Sequence, residues 1–132
     1  MPRRTAQRDA VTQAVVTAPG PLTPDEVLAR AQADAPGLGI ATVYRTLKLL
    51  VDAGRAVTVV LPDGQTRYEA ADLGHHHHFR CRVCARVFDL PGCGVVGHGA
   101  GRPPEALRGF EVEGHELTYH GRCPACVAAA RA

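Results

Sequence analysis

The sequence of 132 residues contains no tryptophan and few aromatic residues of any kind, so a hydrophobic core must be built mainly from alanine, valine and leucine. It also lacks any apolar run near the roughly 20 residues that cross a bilayer. The basic N-terminus has no apolar segment or small-residue cleavage site behind it, which is unlike a signal peptide. We therefore expect a cytoplasmic protein with no membrane partner.

An excess of charge of one sign is also missing, because the net charge is only +2 at pH 7. The overall balance therefore does not by itself indicate a nucleic-acid-binding protein. Cysteine and histidine are distributed unevenly: none occurs before about residue 70, and all five cysteines and seven histidines follow it. This shift predicts two domains, residues 1–70 and 75–132, joined by a linker at residues 71–74.

The first domain is predicted to contain three helices followed by a β-hairpin. Thr5 is the expected N-cap of the first helix, and Thr23-Pro-Asp-Glu26 is a capping box for a second helix that ends near Ala33. A third helix is predicted from Ile40 to Gly54, and the hairpin over residues 57–69, around a turn rich in Pro, Asp and Gly. The buried stripe of the third helix should consist of Ile40, Val43, Leu47 and Leu50.

Three helices followed by a hairpin is the order of elements in a winged-helix domain. In that arrangement the third helix enters the major groove of DNA, and the hairpin contacts the backbone. The polar residues outside the buried stripe would then face the bases. A small helical domain with a solvated polar face explains the same pattern, so the pattern alone leaves DNA binding open.

The second domain carries two Cys-x-x-Cys pairs, separated by 38 intervening residues. In a reducing compartment such pairs are more often metal ligands than disulfides. Four thiolates complete the tetrahedral coordination of a structural zinc ion. A pair of redox dithiols is the alternative, but the first pair does not open a helix after a thioredoxin-like strand. The predicted zinc ligands are Cys81, Cys84, Cys123 and Cys126, and Cys93 is expected to be a buried or spare thiol rather than a fifth ligand.

Four consecutive histidines, residues 75–78, lie just before the first cysteine pair. In an extended chain His76 and His78 face one way and His75 and His77 the other, so each pair is half of a potential metal site. A solvent-facing histidine tract is the alternative. Further ligands must come from other segments, and the candidates are Glu69, Asp89, His98, His115 and His120.

Catalytic motifs are missing from the sequence. The segment from His115 to His120 resembles a zinc-protease motif, but its histidines are five residues apart and do not share a helix face. Residues 116–119 alternate instead like a strand. No nucleophile with a nearby base and no phosphate-binding glycine loop is present, so we expect a protein that is not an enzyme and has no small organic substrate.

Several segments resemble the ferric uptake regulator (Fur) family of metal-dependent repressors. Ile40-Ala-Thr-Val-Tyr-Arg-Thr-Leu47 is similar to its recognition-helix signature, and the stretch from His75 to Cys84 to its histidine-and-cysteine motif. Val87-Phe-Asp-Leu90 and the closing cysteine pair follow in the same order. The resemblance implies an α+β fold: an N-terminal winged-helix DNA-binding domain and a small C-terminal α/β dimerisation domain with a four-cysteine zinc site.

The resemblance also implies the functional residues. A regulatory hinge site would use Glu69, His76, His78 and Asp89. A second site would use His75, His77 and His115, and since the usual acid after Asp89 is missing, His98 is the expected fourth ligand and Cys93 the fallback. The DNA-binding residues would be Arg3, Arg4, Thr42, Tyr44, Arg45 and Lys48.

The resemblance thus predicts a homodimer that binds double-stranded operator DNA when loaded with metal and represses divalent-metal uptake genes. The structural metal is expected to be Zn(II), and the regulatory metal Mn(II) or Zn(II) rather than Fe(II). Iron sensors of the family carry a histidine just before the second helix, whereas this chain has Pro-Leu-Thr at residues 21–23 and no histidine there. One alternative is a zinc-stabilised metal buffer or interaction module that does not bind DNA. The other is a peroxide-sensing regulator of the same family.

Overall fold

Three helices and a two-stranded hairpin make up the first of two units into which the chain divides, Met1–Leu73 and Gly74–Ala132. The structure is a computed structural model that describes residues 3–92 and 105–132. The first unit runs in the order α1 (Arg3–Val16), α2 (Pro24–Ala31), α3 (Ile40–Asp52), β1 (Ala56–Val60) and β2 (Thr66–Ala70). Strands β1 and β2 pair antiparallel, and we call this hairpin the wing.

The starts and ends of the helices follow local sequence signals. The predicted capping box is confirmed: Glu26 N–H donates to Thr23 Oγ1 at 3.3 Å, and Thr23 N–H donates to Glu26 Oε1 at 2.9 Å. Helix α3 ends where Gly54 adopts a φ of +72°. Arg55 N–H then donates to Leu50 O, a pairing that closes the helix C-terminus and requires a residue tolerant of positive φ.

The core of the first unit lies between its three helices. Leu47, Val43, Val27 and Val11 are completely buried there. Ile40, which the periodicity placed in the buried stripe, is 37% exposed, and that prediction is wrong. The buried stripe starts one turn later and includes Thr46, whose hydroxyl donates to Thr42 O at 2.8 Å. Because this bond satisfies the hydroxyl, a polar residue can occupy a core position.

The second unit is built on a three-stranded sheet. Its order is β4 (Val87–Pro91), β3 (His76–Cys81) and β5 (Thr118–Gly121), with β3 antiparallel to β4 and parallel to β5. A 3₁₀ turn at Glu105–Leu107 precedes β5, and helix α4 (Pro124–Arg131) follows it. None of the helices within residues 3–92 and 105–132 has the length and apolar character of a membrane span.

Two further boundaries differ from the predictions. Helix α1 is already formed at Arg3, so Thr5 lies inside its first turn and is not the N-cap. Arginine is a good helix former, and nothing between residues 3 and 5 interrupts the helix. The last strand begins at Thr118 rather than Glu116, because its register is set by pairing with β3 and not by its own alternation.

Candidate metal centres and nucleic-acid interface

The four cysteines of the two Cys-x-x-Cys pairs meet at one end of the second unit. Cys81 ends β3 and Cys84 lies in the turn that follows, whereas Cys123 caps α4 and Cys126 is in its first turn. Their sulfur atoms all lie within 4.8 Å of one another. Cys81 and Cys123 are buried, and Cys84 and Cys126 are partly exposed, so water reaches one side of the cluster at most.

Backbone donors favour the charged form of one of these thiols. Cys84 N–H and Cys123 N–H point at Cys81 Sγ from 3.5 and 3.4 Å, and these bonds lower the pKa of Cys81 to about 5. The hydrogen bond with Cys123 raises the pKa of Cys126 to about 12, so a cation is needed to hold all four as thiolates. Four closely spaced soft ligands fit a closed tetrahedral zinc site.

The turn that leads from Cys84 to β4 contains backbone strain. Ala85 has a φ of +64° and is the one non-glycine residue of the described chain with positive φ. This conformation costs an L-residue about 1–2 kcal/mol, and it lets Ala85 N–H donate to Cys81 O at 3.0 Å. The strain therefore shapes the turn that presents Cys81 and Cys84.

The strain predicts that Ala85→Gly stabilises the second unit. Glycine adopts positive φ freely but loses more entropy on folding, so the net gain should be roughly 0.5–1 kcal/mol. Urea unfolding of the zinc-loaded protein measures it as a higher midpoint at constant slope. The matched control, Ala128→Gly in the exposed interior of α4, should destabilise by about 0.5–1 kcal/mol. Equal midpoints for Ala85→Gly and the wild type would contradict this account of the turn.

One face of the sheet gathers three imidazoles. His77 Nε2 lies 3.1 Å from His115 Nε2, and one ring nitrogen from each of His75, His77 and His115 lies within 4.8 Å of the others. Burial and, next, the neighbouring His75 lower the pKa of His77, which keeps its ring neutral and able to bind a metal. The expected fourth ligand His98 and the fallback Cys93 lie outside the described residues.

The opposite face of the same strand carries the alternate histidines. His76 and His78 flank Asp89 of β4, with Nε2–Oδ1 distances of 3.4 and 3.3 Å. Gly74 O lies 2.8 Å from His76 Nδ1 and orients that ring, leaving Nε2 directed toward Asp89. Glu69, the fourth residue predicted for this site, is the penultimate residue of β2 in the first unit. The second unit thus brings together two imidazoles and one carboxylate, a set suited to a divalent cation.

The predicted recognition residues lie on the outer side of α3. Tyr44 is 54% exposed, and the Lys48 side chain is 77% exposed and paired with Asp52 at 3.1 Å. Arg45 Nη2 donates to Thr42 Oγ1 at 3.1 Å. Arg3 and Arg4 are exposed at the start of α1. The first unit therefore presents a polar and mainly basic helix face, which is what base and phosphate contacts require.

Two arginines that the sequence analysis missed support these sites. Arg67 of β2 is 2% exposed and forms a bidentate pair with Asp63, at 3.0 and 2.7 Å, which holds the turn of the wing. Arg86 donates to Cys84 and holds the pKa of that thiol below its usual value, while its guanidinium carbon lies 5.5 Å from the centre of the Phe88 ring. The sequence signal for the pair of Arg67 with Asp63 was an aspartate in a turn followed by an arginine four residues later.

Comparison with known proteins gives one consistent result. Residues 2–120 match the model of the ferric uptake regulator family. The ferric uptake regulation protein of Campylobacter jejuni is 29% identical over 124 residues, covering 92% of this chain and 78% of that protein. The peroxide operon regulator of Bacillus subtilis is 27% identical over 126 residues, covering 94% and 83%. A solved structure of a zinc-bound manganese uptake regulator matches with a TM-score of 0.69 and 27% identity, covering 89% and 87%.

Proposed function

Because this chain belongs to the ferric uptake regulator family, whose members are metal-sensing transcription regulators and not enzymes, we propose that it is a metal-dependent repressor of divalent-metal uptake genes. In this proposal it binds operator DNA as a metal-loaded homodimer. One observation supports the proposal: a single chain combines an exposed helix face that carries Tyr44, Arg45 and Lys48 with two histidine clusters on opposite faces of one strand. A regulator needs both, a surface for DNA and a site for its signal.

The proposed structural metal is Zn(II) bound by the four-cysteine cluster. Cys81, Cys84, Cys123 and Cys126 supply a closed set of soft ligands with no open position. Zinc bound there would neutralise the charge of the thiolates and would contribute folding energy to the second unit. The chain's own contribution is the pair of backbone N–H groups directed at Cys81, which hold that sulfur in its charged form.

The proposed regulatory site adds Glu69 of the first unit to His76, His78 and Asp89 of the second. Glu69 belongs to the wing, and the other three ligands belong to the second unit, so a cation bound by all four would restrain the linker at residues 71–74. The cation would favour the arrangement of the chain that binds DNA only if the cation is better coordinated in that arrangement than in the other. Such an effect is a shift of populations. Coupling of this kind is typically worth about 1–3 kcal/mol.

The ligand chemistry guides the choice of the sensed metal. Two imidazoles and two carboxylates form a comparatively hard set that accepts Mn(II), Fe(II) or Zn(II), whereas a thiolate in the set would have favoured zinc. We propose Mn(II) or Zn(II) ahead of Fe(II), since residues 21–23 lack the histidine of the family's iron sensors. The second proposed site consists of His75, His77 and His115, completed by His98.

On DNA, we propose that α3 reads base edges in the major groove while the wing contacts the backbone. Tyr44 would contact a thymine methyl or a base edge, and Arg45 and Lys48 would contact guanine or phosphate. Arg3 or Arg4 would reach into a minor groove. Two copies related by a two-fold axis would place their recognition helices about one helical turn apart.

Arg45→Ala tests this assignment. It should weaken operator binding by about 1–3 kcal/mol, roughly 5–150-fold, if Arg45 contacts a base. The measurement is a mobility shift with and without Mn(II) and Zn(II), using a duplex selected from a random-sequence pool. Arg55→Ala, an exposed arginine outside α3, is the control and should bind as the wild type does.

Two outcomes would reject the DNA-binding proposal. Unchanged affinity in both Arg45→Ala and Tyr44→Phe would show that α3 does not read the operator. Failure of the wild type to select any duplex, with either metal, would favour a metal buffer or interaction module instead. Such a module needs neither the exposed polar face of α3 nor the wing.

A further inference from the structure

Gly74, the first residue of the second unit, lies two residues before β3 and has a left-handed backbone conformation. Its φ is +68°, a value that glycine adopts without strain and that a β-branched residue almost never adopts. Apart from its chain neighbours, no heavy atom lies within 4 Å of the position that a Cβ atom would occupy there. The preference for glycine therefore comes from the backbone conformation and not from packing.

The carbonyl group of this glycine is directed at one ring nitrogen of a proposed metal ligand. Gly74 O lies 2.8 Å from His76 Nδ1. A carbonyl oxygen only accepts hydrogen bonds, so Nδ1 is the nitrogen that carries the proton and donates it. In the neutral ring the lone pair is then on Nε2, the nitrogen that lies 3.4 Å from Asp89 Oδ1. The ring therefore presents its metal-binding nitrogen to the carboxylate of the proposed site.

A hydrogen bond of this kind changes how well a histidine binds a metal. Histidine ligands usually donate their second ring N–H to a carbonyl, a carboxylate or water. The bond fixes the tautomer, orients the ring and makes the other nitrogen more basic. Loss of such a partner typically weakens metal binding by about 10–100-fold, so the group that accepts from His76 should contribute measurably to the affinity of its site.

We propose that Gly74 is a positioning residue of the regulatory site: its left-handed backbone aims its carbonyl at His76 Nδ1 and thereby directs Nε2 to the metal. The inference rests on the proposed function, because His76 is one ligand of the proposed regulatory site. Gly74 has no side chain, so a search for ligand-type residues does not find it. It is also the last residue of the linker at residues 71–74, so the same hydrogen bond joins a metal ligand to the linker backbone.

Isothermal titration with Mn(II) and, separately, with Zn(II) tests the proposal on protein that retains its four-cysteine zinc. Comparison of the wild type with His76→Ala identifies the binding event that belongs to the regulatory site. Gly74→Val should bind metal there about 10–100-fold more weakly than the wild type, because valine moves the backbone out of the left-handed region and takes the carbonyl away from His76. The matched control is Gly109→Val, which should bind as the wild type does. Gly109 is also an exposed glycine of the second unit, with a φ of +87° and no contact within 4 Å of a Cβ position.

Gly74→Asn separates the positioning role from a general effect of substitution. Asparagine tolerates the left-handed conformation, so this variant should keep the hydrogen bond and bind the metal nearly as the wild type does. Nitrogen-15 NMR of the metal-free proteins is a second measurement, because it shows which ring nitrogen of His76 carries the proton. We expect Nδ1 in the wild type and in Gly74→Asn, and a loss of that preference in Gly74→Val.

The inference is overturned if Gly74→Val and Gly109→Val bind metal equally well, whether both match the wild type or both are weakened. A wild-type His76 that carries its proton on Nε2 overturns it as well. Either result leaves the regulatory site itself in place, provided that His76→Ala loses a binding event that the wild type has. If His76→Ala binds metal as the wild type does, the proposed regulatory site is rejected, and the role of Gly74 is rejected with it.

Discussion

Replacing Cys81 with serine is expected to remove one zinc ion per chain and to unfold the second unit. The reason is the small core of that unit: among residues 74–92 and 105–132, only His77, Cys81, Val87 and Cys123 are buried. Two of these four are members of the cysteine cluster. Structural zinc contributes about 10–16 kcal/mol to the folding of zinc-finger peptides, which exceeds what so few buried side chains supply.

The first unit should survive this substitution, because its own core lies between α1, α2 and α3. Zinc content by elemental analysis and a backbone NMR spectrum measure the two effects separately: the wing and the three helices keep their dispersed signals, while β3, β4 and β5 lose theirs. Cys93→Ser is the control and should retain its zinc. A Cys81→Ser protein that lacks zinc yet remains a folded, DNA-binding dimer would contradict the structural role of the cluster.

Replacing His76 with alanine is expected to abolish metal-activated DNA binding and to leave the four-cysteine zinc in place. His76 Nε2 lies 3.4 Å from Asp89 Oδ1, so the substitution removes one of two imidazoles beside that carboxylate. The DNA affinity of the metal-loaded protein should fall to that of the metal-free protein, a loss of about 5–150-fold for a typical coupling energy. Anisotropy of the labelled duplex at saturating Mn(II) or Zn(II) measures this loss.

His120→Ala is the matched control for this experiment. His120 is an exposed histidine of β5 and belongs to none of the clusters found among the described residues, so its variant should respond to metal as the wild type does. If His76→Ala responds normally, the hinge site is not the sensor. The opposite face, with His75, His77 and His115 and the proposed His98, then becomes the regulatory site to test.

Much of this architecture follows from signals that are local in the sequence. The capping box from Thr23 to Glu26 starts α2 because both of its hydrogen bonds form within four residues. The alternation of residues 75–78 separates the histidines onto two faces because a strand has a period of two. These features depend on neighbours along the chain, and the sequence contains those neighbours.

Other features depend on contacts between distant residues and were missed. The register of β5 is set by β3, and the exposure of Ile40 is decided by which turn of α3 packs on the core. Helix α4 was not predicted, although Pro124 at its first position and the alanines after it are typical of a helix start. The burial of Arg67 follows from the bend of the wing that brings Asp63 beside it.

We propose that a divalent metal increases the affinity of this protein for DNA. This proposal is tested most directly by titrating the selected duplex with wild-type protein whose sensing sites have been emptied and whose four-cysteine zinc is retained. The titration is repeated without added metal and with Mn(II), Zn(II) or Fe(II). We expect Mn(II) or Zn(II) to tighten DNA binding by about 5–150-fold and Fe(II) to tighten it by less. Equal affinity in all four titrations would contradict it.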